Sequence, residues 1–147
     1  MRTRQVLCPT DFSETASHAL KYAIEMANLY HVNIRLLHVM SEGNRLHHYG
    51  TVLEKSSDLE HKHVIPLRQK TTQLAGEIAE YLDEGLKVIP VIRRGDVVAQ
   101  IIEESVEQQV GMIVIGSHGY KGISHLLNPN VSEVISNKAH CPVLVVK

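Results

Sequence analysis

What this sequence has little of narrows the field first. Cysteine occurs only twice in 147 residues, as Cys8 and Cys141. Each stands at the edge of an apolar segment, far from the other along the chain, so neither a disulfide framework nor a closely spaced redox pair is indicated and both are read as buried, reduced thiols. Neither sign of charge is in excess. Lys plus Arg number 15 against 16 for Asp plus Glu, so there is no bulk field to attract nucleic acid or an anionic membrane surface, and any anion site has to be built locally. Long apolar runs are absent too. Met1-Arg2-Thr3-Arg4 leads into a run of only a few residues, short of a signal-peptide core and far short of a membrane span. The expectation is a cytoplasmic protein that binds neither nucleic acid nor membrane. With 44% hydrophobic and 21% charged residues, the chain has the composition of one globular domain over 1–147 with a sizeable core.

What is present alternates strand with helix. Val6-Leu7-Cys8 is a short apolar strand that stops at Pro9. From Ala16 to Tyr30 the apolar residues recur at helical spacing. Val32 to Val39 alternates and then becomes nearly continuous in apolar residues, as in a strand covered on both faces. Residues 41–63 are polar, carry Gly43, Gly50, His47, His48, His61 and His63, and show no period, so they read as a surface excursion. Leu67, Thr71, Leu74, Ile78 and Leu82 step by three or four into an amphipathic helix, closed by Gly85 before a strand from Leu86 to Ile92. Gly95-Asp96 opens a third helix with Val98, Ile101, Ile102 and Ser105 on one face. Gly111 to Ile115 is a fourth strand. After a glycine-rich loop and a short last helix the chain closes with Val143-Leu144-Val145-Val146. Such alternation predicts an α/β fold with a doubly wound, five-stranded parallel sheet and helices on both faces, and ligands in that class bind beyond the carboxyl ends of the strands where the strand order reverses.

Two loops after strands therefore matter. Pro9-Thr10-Asp11-Phe12-Ser13-Glu14 follows the first strand. Asp11 with Glu14 matches a capping box, Ser13 is an alternative cap, and the Asp11 carboxylate is also suited to accept hydrogen bonds from ribose hydroxyls or an adenine amine. After the fourth strand, Gly116-Ser117-His118-Gly119-Tyr120-Lys121-Gly122 has glycines that let backbone N–H groups converge on an anion, or simply make a tight turn. It is neither a Walker loop nor the dinucleotide fingerprint.

The ten histidines raise the question of a metal. His61-x-His63 and His47-His48 fall in the stretch without period, where ligands are not held by defined elements, and no metal site is expected. His38 reads as a packed core histidine, and His118 as a loop residue. Ser117 beside His118 is the best nucleophile and base on offer, but sequence neighbours rarely have triad geometry and no nucleophile elbow is present, so no catalytic residue is assigned.

Pro9-Thr10-Asp11-Phe12-Ser13, Leu36-Leu37-His38-Val39, Ile113-Val114-Ile115-Gly116-Ser117-His118-Gly119 and Cys141-Pro142-Val143-Leu144-Val145-Val146 together resemble the universal stress proteins, in order and over the whole chain. The resemblance implies a strand order of 3-2-1-4-5, with the two loops facing each other at the reversal. It implies a regulatory stress-response protein that binds ATP or AMP, with Mg²⁺ for ATP, and has at most slow ATP hydrolysis. Nucleotide contacts would fall at Pro9, Thr10, Asp11, Val39, Ile115, Gly116, His118, Gly119, Asn130, Val131 and Ser132. It also implies a homodimer through the terminal strand Val143 to Val146; a dimeric interaction module without nucleotide is the alternative. ATP-binding members carry Gly-x-x-Gly, nine residues, then Gly-Ser/Thr. Here Pro129 and Asn130 stand where Gly-Ser is expected, which weakens the phosphate end because proline offers no N–H. Asn130-Val131-Ser132-Glu133 reads as a capping box for the last helix, its Asn side chain competing with phosphate for the first amides.

Overall fold

Two alternations generate the architecture: strand with helix along the chain, and one face with the other along each strand. The computed structural model describes residues 4–41, 60–117 and 130–147. They form β1 (Val6–Pro9), α1 (Glu14–Tyr30), β2 (Ile34–Met40), a π-helical turn (Glu60–Val64), α2 (Ile65–Ala79), β3 (Val88–Arg94), α3 (Val97–Glu107), β4 (Met112–Gly116), α4 (Val131–Lys138) and β5 (Val143–Val146). All strand pairs are parallel and the order is β3-β2-β1-β4-β5.

Alternate residues of each strand feed two cores. Val6, Cys8, Ile34, Leu36, Val114 and Val146 pack under α1 and α2 with Ala19, Ala23, Ala27, Ala75 and Ile78. Leu7, Leu37, Val39, Ile113 and Ile115 pack under α3 and α4 with Val98, Ile101, Val131 and Ile135. Small alanines along α1 let that helix lie close to the sheet. Both faces of β1, β2 and β4 are thus covered, which is why their sequences are nearly continuous apolar runs. Cys8 is fully buried, and burial pushes its thiol up to about 12; Cys141 is only half-buried, less enclosed than its sequence setting suggests.

Element ends depart from expectation for local reasons. β3 starts at Val88, two residues later than expected, because Gly85 at φ 88° and the Leu86 N–H to Asp83 carbonyl bond keep the chain in a turn. The excursion expected over 41–63 ends earlier: Glu60–Val64 is already helical and runs into α2, whose first turn holds Pro66, where a missing N–H costs nothing. Residues 42–59, with His47 and His48, lie outside the described residues.

The α3 face is not wholly apolar. Glu104, 2% exposed, lies between two arginines: Arg35 on β2 donates to it at 2.8 Å and Arg93 on β3 at 2.7 Å. Arg93 also reaches Gln100, Glu103 and Glu107 on α3.

The order reverses at β1, whose ladder with β2 continues to Pro9↔Leu37 while its ladder with β4 stops at Leu7↔Ile113. Beyond that pair Cys8 and Pro9 have no ladder partner on β4, and in a doubly wound sheet the carboxyl ends of strands at such a reversal are where a ligand crevice is expected.

Candidate functional site at the strand-order reversal

On the β1 side of the crevice, short-range bonds shape the turn into α1. Thr10, 1% exposed, donates its N–H to the Leu37 carbonyl at 2.8 Å, and its own carbonyl accepts the Nδ1–H of His38 at 2.8 Å. A carbonyl only accepts, so the ring donates through Nδ1. The Thr10 hydroxyl accepts the Phe12 N–H at 3.0 Å, and Asp11 Oδ1 accepts the Ser13 N–H at 3.0 Å. Ser13, in extended conformation, is the helix cap, its Oγ accepting the Ala16 N–H at 3.2 Å. Between the two candidate caps the structure chooses Ser13, and the capping box of Asp11 with Glu14 does not form. Asp11 instead closes an Asx turn just past the carboxyl end of β1, its side chain partly exposed. His38 is 8% exposed beneath this turn. Burial lowers its pKa, opposed by the Thr10 carbonyl and Asp11 and assisted by Lys70 of α2.

On the β4 side, Gly116 is dictated by packing. A Cβ there would stand 3.0 Å from both the carbonyl oxygen and the Cγ2 of Thr15, so only glycine admits the first turn of α1 against the end of β4. Ser117 donates its N–H to the Val146 carbonyl at 2.7 Å, and its carbonyl receives the Ser132 hydroxyl across a loose 3.4 Å. The Ser117 hydroxyl is buried and has no hydrogen-bond partner among the described residues. It is a polar group that the sequence reading considered only as a nucleophile.

The expected site residues fall into three groups. Pro9, Thr10, Asp11, Gly116 and Ser132 come to the crevice from β1, β4 and α4. Val39, Ile115 and Val131 share the apolar core under α3 and α4, so their side chains serve packing and their backbones alone are left for a ligand. His118 and Gly119 lie outside the described residues, as does Pro129, the departure from the motif. Asn130 corrects an expectation: it is the N-cap residue of α4 by position, but its side chain makes no capping hydrogen bond. Its backbone at φ −125° and ψ 52° departs from the extended geometry in which a side-chain cap closes, so it does not compete for the first amides of α4.

Two shallow grooves occur elsewhere. One of about 390 Å³ lies between α3 and α4, over Val98, Ala99, Ile102 and Val134, and one of about 370 Å³ runs along α2. Neither is lined by a residue of the β1–α1 turn or of β4. Among the described residues no cluster of His, Cys, Asp and Glu suits a metal ion, and no helix is long and apolar enough to cross a membrane.

Residues 2–147 match the model of the universal stress protein family. Universal stress protein MJ0577 of Methanocaldococcus jannaschii is 30% identical over 156 residues, a match that covers 98% of this chain and 94% of that protein. A solved structure of MJ0577 superposes with a TM-score of 0.78 over 100% of this chain and 97% of that one. The same fold recurs in a universal stress protein in complex with cAMP, at 16% identity and a TM-score of 0.70, covering 100% and 99% of the two chains. It recurs again in one from Archaeoglobus fulgidus in complex with dAMP, at 20% identity and 0.65, covering 100% and 98%.

Proposed function

The chain belongs to the universal stress protein family, and on that premise we propose that it is a regulatory protein that binds an adenine nucleotide, AMP or ATP, with a weakened phosphate end. One observation supports the reading: at the reversal point the Asp11 carboxylate closes the β1 turn while the buried hydroxyl of Ser117, just past the end of β4, has no partner among the described residues. A buried hydroxyl left unbonded costs about 1–3 kcal/mol, so a ligand atom that bonds it recovers that cost. Asp11, an acceptor, suits ribose hydroxyls or the adenine amine. The same-fold proteins in complex with cAMP and dAMP support adenine nucleotides as the class to test.

The weakness now rests on Pro129 alone, which has no N–H to give. The amides opening α4 are not taken by the Asn130 side chain, so a phosphate retains donors there and at Gly116. With ATP, Mg²⁺ would offset phosphate charge; the described residues include no dedicated metal cluster.

Small molecules released from freshly purified protein, identified by mass spectrometry, and calorimetry with AMP and with ATP plus Mg²⁺ test the reading. The expected result is adenine nucleotide binding with poor discrimination between AMP and ATP. An empty protein that gives no heat with either would favour a dimeric interaction module. That second reading draws on β5, an edge strand whose Val145 is 37% exposed. Pairing of β5 with its copy is proposed under both readings.

A further inference from the structure

Phe12 is the chain's one phenylalanine, and its φ is 64°. A bulky side chain rarely occupies the left-handed region, and such a conformation persists only where neighbours over-determine it. Three contacts do so here. Its N–H is bonded to the Thr10 hydroxyl at 3.0 Å. Its ring lies 4.7 Å from the His38 ring, tilted by 36°. The Lys70 ammonium stands 4.5 Å from its centroid, within cation–π range. The turn that carries Asp11 is therefore gripped from below by β2 and from the side by α2. His38 adds a second hold through its bond to the Thr10 carbonyl.

We propose that His38, Phe12 and Lys70 form a proton-sensitive latch on the β1–α1 turn, closed while the imidazole is neutral and loosened when it is protonated. Neutral His38 donates its Nδ1–H to Thr10 and places no charge in the buried space beneath Phe12. Protonation adds a charge at Nε2 beside the Lys70 ammonium, with both cations against one aromatic ring. The charged groups that act on His38 are Asp11 from the turn and Lys70 from α2. Burial is the largest cause that disfavours an imidazolium here and Lys70 repels it, while the Thr10 carbonyl and Asp11 favour it. The charged ring therefore gains by moving toward water and away from the ammonium, which loosens its contact with Phe12, and it draws the Asp11 carboxylate from the Ser13 N–H toward itself. As regulation of a nucleoside site the inference rests on the nucleotide reading; as a property of the turn it does not.

Histidine ring signals and backbone amides followed by NMR on the full chain, from about pH 7.5 to about pH 4.5, a window extended below the ordinary histidine value of about 6.5 because burial lowers that of His38, test the latch directly. The Phe12 and Ser13 amide shifts should titrate in step with His38, and Lys70→Met, at an exposed position, should raise the His38 midpoint by removing a like charge. A His38 midpoint unmoved in Lys70→Met, or Phe12 and Ser13 amides that ignore its titration, would overturn the proposal. Calorimetry with adenosine, which carries no phosphate to titrate, reads the consequence. Affinity should fall several-fold from the higher pH to the lower, and the fall should be smaller in Lys70→Met. Adenosine affinity independent of pH would refute the regulatory role. Amide coupling that persists without adenosine binding at any pH would uphold the latch and count against the nucleotide reading alone.

Discussion

Asp11 and Ser13 hold one turn by different bonds, and that difference separates ligand binding from folding. Ser13 Oγ satisfies an orphan amide of α1, so Ser13→Ala should lower stability by about 1 kcal/mol in urea denaturation. Asp11→Asn keeps a side-chain carbonyl for the Ser13 N–H, so stability should barely change while adenine nucleotide affinity falls through loss of the carboxylate. Stability loss comparable to Ser13→Ala, with affinity unchanged, would make Asp11 a structural residue. The sequence offered both residues as caps, since both types cap well; backbone geometry chose between them. His38 was legible as a packed histidine because it interrupts an apolar strand. Lys70 was not legible, since its position on the exposed face of α2 resembles that of any solvated lysine.

At the level of elements, β5 is the exposed margin of the sheet. Its inner side pairs with β4 in register, Ile115↔Val145 and Gly116↔Val146, while its outer edge has no strand beside it among the described residues. Val145→Lys places a charge on that edge without entering a core, so the fold should be retained and, with the proposed β5 pairing, sedimentation should shift from dimer toward monomer. A dimer that survives the substitution would move the interface elsewhere. Element types followed from hydrophobic period throughout, but ends did not. β3 begins late because a positive-φ glycine extends the preceding turn, and Glu60–Val64 is helical although its polar sequence carries no apolar stripe.

For the whole molecule, the Arg35–Glu104–Arg93 cluster joins β2, β3 and α3 through a carboxylate with almost no water contact. Removing one member of a buried ion group leaves its partners desolvated and unpaired, so Glu104→Gln should cost about 3–5 kcal/mol, read as a lower urea midpoint with unchanged slope. A loss below about 1 kcal/mol would indicate that water reaches the arginines.

The sequence by itself determined the α/β class, the two-faced strands and where the turns after β1 and β4 begin, because periodicity and turn chemistry are local properties written in consecutive residues. The motif order determined the family as well. What tertiary structure alone decided depends on atoms brought together from distant positions. Arg35 and Arg93 meet Glu104 from other elements, Thr15 makes Gly116 obligatory, the Asn130 side chain does not cap, and the Ser117 hydroxyl is buried without a partner among the described residues. Each is a matter of distance and desolvation, and neither quantity exists until the chain has folded.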